Sequence, residues 1–296
     1  MSFTIPTPAS DLTFESAREV SDRLASVDYL PSTAISSTIY LASQLGKPVL
    51  VEGPAGTGKT ELAKALSRTT GARLIRMQCY EGLDESKVLY EWDYRKQLLR
   101  IQAGEGTWAT VEDDIFSEDY LLTRPLLEAI RADEDVILLI DEVDRLDVET
   151  EALLLEVLSD FQVSIPELGT VTARRRPLVL LTSNNSRDLS EALKRRCLYL
   201  HVGYPSPERE REIVLASVPG ISEQLATQLT EVVESLRAMD LKKRPSVSET
   251  LDWARTLVLL DTTELDAETV QDHLAILLKH QTDIERAHAD LAERSA

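Results

Sequence analysis

The sequence is poor in cysteine, histidine and positive charge. Only two cysteines occur among 296 residues, Cys79 and Cys197, and their wide separation without a CxxC spacing argues against a disulfide framework or a zinc knuckle. The four histidines form no HExxH pattern, so no transition-metal site is expected. With 32 basic against 51 acidic side chains the net charge is -19. Such a charge argues against nucleic acid as the main partner, because duplex binding needs a positive surface.

Long apolar runs are also missing. No stretch approaches the ~18 residues that a membrane span requires. The first ten residues, MSFTIPTPAS, lack the basic and apolar segments of a signal peptide. The sequence therefore predicts a cytoplasmic protein with no membrane partner, and its 43% hydrophobic content is enough for one large core or two unequal domains.

Strand-like and helical patterns alternate through the first two thirds of the chain. Helical spacing of apolar residues covers residues 11–45, with Pro31 as a break. Short apolar runs predict strands at residues 47–53, 72–79, 136–142, 177–184 and 197–205. Because helical patterns separate these runs, we expect an α/β fold with a parallel sheet and crossover helices.

The last third of the chain is helical in pattern. After Pro205 and Pro207, four segments carry a 3.6-residue apolar stripe, and the last stripe runs through residues 267–291. Ser246 and Glu249 have the spacing of a capping box, which predicts the start of the third helix. The predicted organisation is a helical lead-in at residues 1–45, an α/β core at 46–204 and a small helical lid at 205–296.

The most specific motif follows the first predicted strand. GPAGTGKT, residues 53–60, fits GxxxxGK[ST], a loop whose glycines let backbone amides approach bound phosphates at a helix N-terminus. Lys59 is expected to reach the β and γ phosphates, and the Thr60 hydroxyl to bind Mg²⁺. The alternative is a plain strand-to-helix turn. The expected nucleotide contacts are Gly53, Pro54, Ala55, Gly56, Thr57, Gly58, Lys59, Thr60 and Glu61.

Two carboxylates end the third predicted strand, VILLIDE. Asp141 is expected to hold Mg²⁺ through its water shell and Glu142 to polarise the attacking water, at the strand edge where α/β sheets bind ligands. The alternative for the pair is an exposed turn. The fourth strand ends in TSNN, so Asn184 is expected beside the carboxylates if its strand neighbours the phosphate-loop strand; the alternative is an Asx turn with Asn185.

In this order these motifs resemble those of AAA+ ATPases, and within them the MoxR group. The resemblance rests on GPAGTGKT, LLTRPLLEAI, LLIDEVDR, LVLLTSNN and EALKRRC, followed by the helical lid, and spans roughly residues 25–260. SIPELGTVTARRRPLVLL resembles the β-hairpin that precedes the sensor strand in this group, with Gly169 at its turn. CYEGLDESKVLYEWDY and RPSVSETLDWA are similar to MoxR-type ATPases that serve maturation of carbon monoxide dehydrogenase and related molybdenum hydroxylases.

The resemblance implies an AAA+ P-loop fold and a hexameric ring that binds ATP and Mg²⁺ at subunit interfaces. It gives the phosphate loop, Asp141 and Glu142 the roles described above, and makes Asn184 the first sensor. Arg196, with Arg195 as second choice, matches the arginine that reaches into the neighbouring subunit. Such an arginine meets charge that grows in the transition state.

One position departs from the family pattern. Many members carry an arginine in the first turn of the third lid helix, whereas here that turn reads SVSET. We hypothesise that Arg244, just before the helix, takes the place of that arginine on the γ-phosphate. The alternative is that Arg244 is an ordinary surface charge.

Several activities remain open for such an ATPase. The first is a chaperone that remodels a client protein, such as a metalloenzyme receiving a metal or molybdenum cofactor, with the von Willebrand A domain partner that MoxR-type proteins commonly have. The second is a scaffold that ATP merely assembles with that partner. The third is a nucleic-acid motor, for which the candidate contact is the basic run Arg174–Arg176 within ARRRP; the alternative is that this run is a solvated hairpin end.

The aromatic residues Tyr90, Trp92 and Tyr94 lie in a segment expected to be a loop. In a ring, such residues can face the pore and grip a protein client. The alternative is that their rings pack as a small satellite core beneath the loop.

Overall fold

A computed structural model of the chain describes residues 12–102 and 115–295. These residues divide into two compact units. The first holds residues 12–27, 31–52, 60–102 and 115–201, and the second holds residues 28–30, 53–59 and 202–295. The prediction for the first ten residues lies outside the described part. No helix of the described part is long and apolar enough to cross a bilayer.

Nine strands form in the described residues, all in the first unit. They are β1 (Val49–Glu52), β2 (Arg73–Gln78), β3 (Tyr90–Trp92), β4 (Leu121–Thr123), β5 (Val136–Asp141), β6 (Gln162–Ile165), β7 (Gly169–Thr172), β8 (Leu178–Ser183) and β9 (Leu198–His201). Five of them make a parallel sheet in the order β2-β5-β8-β1-β9. These are the five strands that the apolar runs predict, so the α/β expectation is confirmed.

The helices follow the predicted alternation with the strands. Those before residue 202 are α1 (Ala17–Ala25), α2 (Thr33–Leu45), α3 (Lys59–Thr70), α4 (Glu85–Val88), α5 (Tyr94–Gln102), α6 (Pro125–Arg131), α7 (Val148–Asp160) and α8 (Glu191–Arg196). Those of the second unit are α9 (Pro207–Ser217), α10 (Glu223–Ala238), α11 (Val247–Leu259), α12 (Ala267–Leu277) and α13 (Gln281–Ser295).

The strand order decides which residues meet at the functional edge. In β5 and β8 every residue is buried, as expected for central strands with both faces covered, whereas the edge strand β2 alternates between buried and exposed. Because β8 lies between β5 and β1, the residues that follow β8 lie next to those that end β5. The condition set by the sequence, that the strand before Asn184 neighbours the phosphate-loop strand, is met because β8 pairs with β1.

Two short antiparallel ribbons accompany the sheet. The predicted hairpin is present as β6 and β7, and Gly169, the first residue of β7 directly after the turn, has a φ of +84°. The ribbon of β3 and β4 corrects the expectation of a loop around the aromatic residues. Trp92 is 7% exposed and its ring packs edge-on against Phe116, with centroids 5.4 Å apart, so Trp92 packs inward as the alternative supposed, but as part of the main core and not of a satellite core. Tyr94, in contrast, is 62% exposed.

The second unit differs from its sequence pattern in one place. The stripe at residues 267–291 is not one helix but two, because Leu278 is extended and separates α12 from α13. Lys279 then donates its ammonium protons to the carbonyls of Ala275 and Ile276, which closes the end of α12. The predicted capping box is present: the amide and the hydroxyl of Ser246 both donate to Glu249 Oε2, the amide at 2.9 Å.

A buried ion pair fixes the segment in front of α11. Arg237 makes two bonds to the carboxylate of Glu210, one of them at 2.9 Å, and its Nε donates to the carbonyl of Pro245 at 2.8 Å. Its guanidinium also lies over the ring of Tyr204, 4.7 Å from the centroid. The Glu210 side chain is only 1% exposed. The pair therefore joins α9 and α10 to the residue that immediately precedes the cap of α11.

Replacing Arg237 by methionine is expected to lower the free energy of unfolding of the helical unit by ~3–5 kcal/mol, since it leaves a buried carboxylate without its counter-charge. Urea denaturation followed by circular dichroism measures this loss. Arg255→Met is the matched control, because Arg255 pairs with Asp252 on the surface and such pairs contribute at most ~1 kcal/mol. Equal losses in the two variants would contradict a structural role for the Arg237 pair.

Candidate functional site

The phosphate loop, residues 53–59, closes around its own lysine. Lys59 is 6% exposed, and its ammonium donates to the carbonyls of Gly53 and Pro54, each at 2.7 Å. The hydroxyl of Thr57 donates to the carbonyl of Pro54 at 2.9 Å. The loop therefore holds a buried positive charge at the first residue of α3, where the helix N-terminus also favours an anion.

Two glycines of the loop have no room for a side chain. A Cβ at Gly53 would lie 2.0 Å from the carbonyl oxygen of Val202, and a Cβ at Gly56 would lie 2.1 Å from the hydroxyl of Ser246. Gly56 also has a φ of +73°, which side chains rarely adopt. These contacts exclude a side chain at both glycines. Phosphate oxygens can approach peptide amides closely only where side chains are absent.

The first turn of α11 contacts the same loop. The amide of Ser248 donates to the carbonyl of Gly56 at 3.2 Å, and Ser246 lies against the Cα of that glycine. The turn without the family's arginine thus contacts the phosphate loop. Arg244, two residues before the cap, is exposed.

The carboxylate of Asp141, at the end of β5, accepts four hydrogen bonds, and the residue is 4% exposed. Its Oδ1 accepts from the hydroxyls of Thr60 at 3.0 Å and Thr182 at 2.5 Å. Its Oδ2 accepts from Nη2 and Nε of Arg76 at 2.6 and 3.1 Å. The bond from Thr60 joins the two residues that the sequence predicts as magnesium ligands.

Glu142 follows Asp141 in a left-handed conformation, with φ at +58°. Non-glycine residues in this region are sparse and cluster at functional sites. The backbone amide of Glu142 donates to Thr182 Oγ1 at 2.9 Å, and its carboxylate pairs with Arg145 Nε at 2.8 Å. One hydroxyl, that of Thr182, therefore links the backbone of Glu142 to the carboxylate of Asp141.

Asp144 holds the loop that carries Asn184. Its Oδ2 accepts from the amides of Asn184 at 3.2 Å and Ser186 at 2.9 Å, and from the Ser186 hydroxyl at 2.6 Å. Burial raises the pKa of Asp144, but the hydrogen bonds from Ser186 and Asn184 together outweigh burial and leave the pKa below its ordinary value. Asp144 is thus held as a carboxylate, and it ties the Asn184 backbone to the turn after Glu142.

Glu151, at 2% exposure, holds the far end of that loop. Its two oxygens accept from the amide of Ser190 at 2.9 Å and from Arg187 Nη2 at 2.8 Å. Burial raises its pKa, but these bonds outweigh burial, so the net shift is downward. Asp144 and Arg187, the partner of Glu151, line a cleft of about 640 Å³. Its other lining residues are Glu81, Gly82, Arg145, Leu146, Asp147, Asn184 and Ser186.

Both cysteines are buried and free. Burial, together with the negative charge of Asp141, raises the pKa of the Cys79 thiol to about 12. Burial raises the pKa of Cys197 to about 12 as well. Because the thiolate is the reactive form, both thiols are inert near neutral pH.

The arginines at the end of α8 are placed differently. Arg196 turns back onto its own chain, where it donates to the Ser159 hydroxyl and to the carbonyl of Ala192 at 3.1 Å. Arg195 is exposed. Arg195 is therefore the more exposed of the two arginines.

The arginines of the basic run after β7 contact residues of the same chain. Arg174 pairs with Asp133 at 2.6 Å, and Arg175 pairs with Asp135 at 2.7 Å. Arg176 lies over the ring of Phe161. These acidic neighbours offset the positive charge that a nucleic-acid contact at this run would need.

Three contributors to the site were not expected from the sequence. Thr182, Arg76 and Arg145 all bind the carboxylate pair, yet no short motif marks them. The available signals were weak: Thr182 is a hydroxyl two positions before Asn184, and Arg76 is an arginine inside the strand-like run at residues 72–79. Their partners depend on strand register, and Arg76 reaches Asp141 because β2 pairs with β5 with Gln78 opposite Asp141.

Comparison with known proteins places these features in a family. The family described as AAA domain (dynein-related subfamily) matches residues 48–197, half of the chain. An uncharacterised protein of Staphylococcus epidermidis is 28% identical over 222 residues, which are 73% of this chain and 77% of the relative. Another of Staphylococcus aureus is 27% identical over 228 residues, 75% of this chain and 78% of the relative.

A relative with a named role is the chaperone MoxR1 of Mycobacterium tuberculosis, 26% identical over 200 residues, which are 65% of this chain and 45% of that protein. The family match begins just before β1 and ends just after α8. It thus contains the phosphate loop, the carboxylate pair and the arginines of α8. The chain belongs to the AAA domain family, dynein-related subfamily.

Proposed function

We propose that this protein is a magnesium-dependent ATP hydrolase of the AAA+ type. The observation that carries the proposal is the 3.0 Å bond from the Thr60 hydroxyl to Asp141 Oδ1. Residues 81 positions apart meet there, one at the start of the helix that follows the phosphate loop and the other at the end of a buried strand. A hydroxyl next to a carboxylate is the donor set that Mg²⁺ takes when it also holds phosphates.

The phosphate loop takes the triphosphate in this proposal. Gly53 and Gly56 keep the backbone bare where their neighbours leave no space for a Cβ. Lys59 now donates to two loop carbonyls, and its ammonium is positioned to exchange them for phosphate oxygens. The bound Mg²⁺ would neutralise charge on the phosphate oxygens, with Thr60 as a direct ligand and Asp141 acting through water.

Glu142 and Asn184 orient the attacking water. Glu142 extends from a strained turn whose amide is fixed on Thr182, so its carboxylate is placed by the backbone. The backbone amide of Asn184 donates a hydrogen bond to the Asp144 carboxylate, which holds this residue in position. A carboxylate at this position accepts a proton from water, and an amide donates to or accepts from that same water.

The biological role we infer is that of a ring-forming, MoxR-type chaperone. It is supported by the named chaperone among the relatives and by the MoxR-like order of motifs. We further propose a metalloenzyme such as a molybdenum hydroxylase as the protein client, and a von Willebrand A domain partner. The net charge of -19 and the ion-paired Arg174 and Arg175 support a protein client over nucleic acid.

Steady-state phosphate release by the purified protein tests the hydrolase proposal. We expect turnover that requires both ATP and Mg²⁺ and that rises with protein concentration as subunits assemble. If no turnover occurs at any concentration, with or without a von Willebrand A domain partner, the proposal is wrong.

A further inference from the structure

Asp141 has no spare acceptor site in this structure. A carboxylate offers about four lone-pair sites. Two are taken by the hydroxyls of Thr60 and Thr182, and two by Nη2 and Nε of Arg76. A water of the magnesium shell can bond to Asp141 only if one of these donors withdraws.

The three donors differ in how easily they can withdraw. Thr182 is 2% exposed and its hydroxyl also accepts from the amide of Glu142, so it is fixed in the sheet. Thr60 is a ligand in the proposed function, and a metal-bound hydroxyl still has its proton to donate to Asp141. The Arg76 side chain is 49% exposed and lies on β2, which is an edge strand of the sheet among the described residues.

Arg76 also has a second partner close at hand. Its Nη2 donates to Gln78 Oε1 at 2.5 Å, a neutral acceptor on the same strand. The guanidinium can leave Asp141 without losing every hydrogen bond. Electrostatic repulsion also favours the departure of Arg76 from Asp141, because a guanidinium and Mg²⁺ on one carboxylate repel each other.

Resting on the proposed function, we propose that Arg76 competes with Mg²⁺ for Asp141. Arg76 supplies the counter-charge of this buried carboxylate and yields Oδ2 to the magnesium shell when Mg²⁺ arrives with the nucleotide. It thereby weakens the coupling between Mg²⁺ and nucleotide binding. A residue that only oriented Asp141 would strengthen that coupling.

Calorimetric titration with a non-hydrolysable ATP analogue measures the coupling without turnover. The quantity is the ratio of the Kd in EDTA to the Kd in saturating Mg²⁺, for each variant. Arg76→Met should raise this ratio about 3- to 10-fold over the wild-type value, the range expected for a charged hydrogen-bonded pair that is half exposed. Arg76→Lys keeps the charge and should stay near wild type.

Arg73→Met is the matched control, since Arg73 lies on the same strand, is 52% exposed and pairs with Glu128 and Glu134 instead. It removes the same charge from β2 and should leave the ratio unchanged. If Arg76→Met does not fold, Arg76→Gln serves in its place. An unchanged or lowered ratio overturns the competition, whereas a wild-type protein that binds no analogue overturns the proposed function itself.

Discussion

Replacing Arg195 by alanine is expected to lower kcat for ATP hydrolysis by ~10³- to 10⁵-fold, the contribution of an arginine supplied to a transferring phosphoryl group. Arg195 is exposed at the end of α8, whereas Arg196 is bonded to Ser159 and Ala192 of its own chain. A guanidinium that acts in a neighbouring site must be accessible to it. Steady-state turnover of the alanine variants at 195 and 196 measures the difference, and the Arg196 variant should lose much less.

Mixing variants shows whether the arginine acts between subunits. Subunits with Arg195→Ala and subunits with Glu142→Gln are each expected to be inactive alone. In mixed rings some interfaces combine an intact Arg195 with an intact Glu142, so activity should reappear. No recovery in rings shown to contain both variants would contradict action between subunits, and a larger loss in Arg196→Ala would assign the role to Arg196, as the resemblance first suggests.

Replacing Glu142 by glutamine is expected to lower kcat by ~10²- to 10⁴-fold, because the amide keeps the shape of the side chain but cannot take a proton from water. Binding of ATP should persist, since Glu142 has no part in the phosphate loop. Phosphate release and ATP binding, measured on the same preparation, separate the two effects. Glu149→Gln is the control, because Glu149 is an exposed carboxylate in the first turn of α7 and should leave turnover unchanged.

The same variant separates a hydrolase from an ATP-assembled scaffold. A scaffold needs ATP to bind but does not need Glu142, so assembly with a von Willebrand A domain partner would be its whole function. We expect that client activation is lost in Glu142→Gln while assembly is retained. Client activation that survives in this variant would favour the scaffold.

The fold was predictable where burial on both faces imposes a pattern. VILLI and LVLL are apolar throughout because β5 and β8 are central strands, and the Ser246 cap is a local signal that needs no tertiary information. The break at Leu278 was missed because no glycine or proline marks it and the apolar stripe continues through it. β3 was missed because three residues are too few for a period.

The site residues could be predicted only where they belong to a motif that is continuous in the sequence. The phosphate loop is one continuous motif, and Asp141 and Glu142 directly end an apolar run. Arg76 and Thr182 belong to the site through strand order and register, which a single sequence does not display. For the same reason the sequence does not show the hydrogen bond from Arg196 to Ser159, since that bond depends on how α8 lies against α7.

The central claim is that Thr60 and Asp141 hold magnesium together at a nucleotide site. Titration with a non-hydrolysable ATP analogue, with Mg²⁺ and with EDTA, tests it in the wild type, in Thr60→Val, in Asp141→Asn and in the double variant. We predict that Mg²⁺ tightens binding to the wild type, that each single change removes most of this gain, and that the double variant loses no more than the single ones. Wild-type binding that is equally tight with Mg²⁺ and with EDTA would contradict the account.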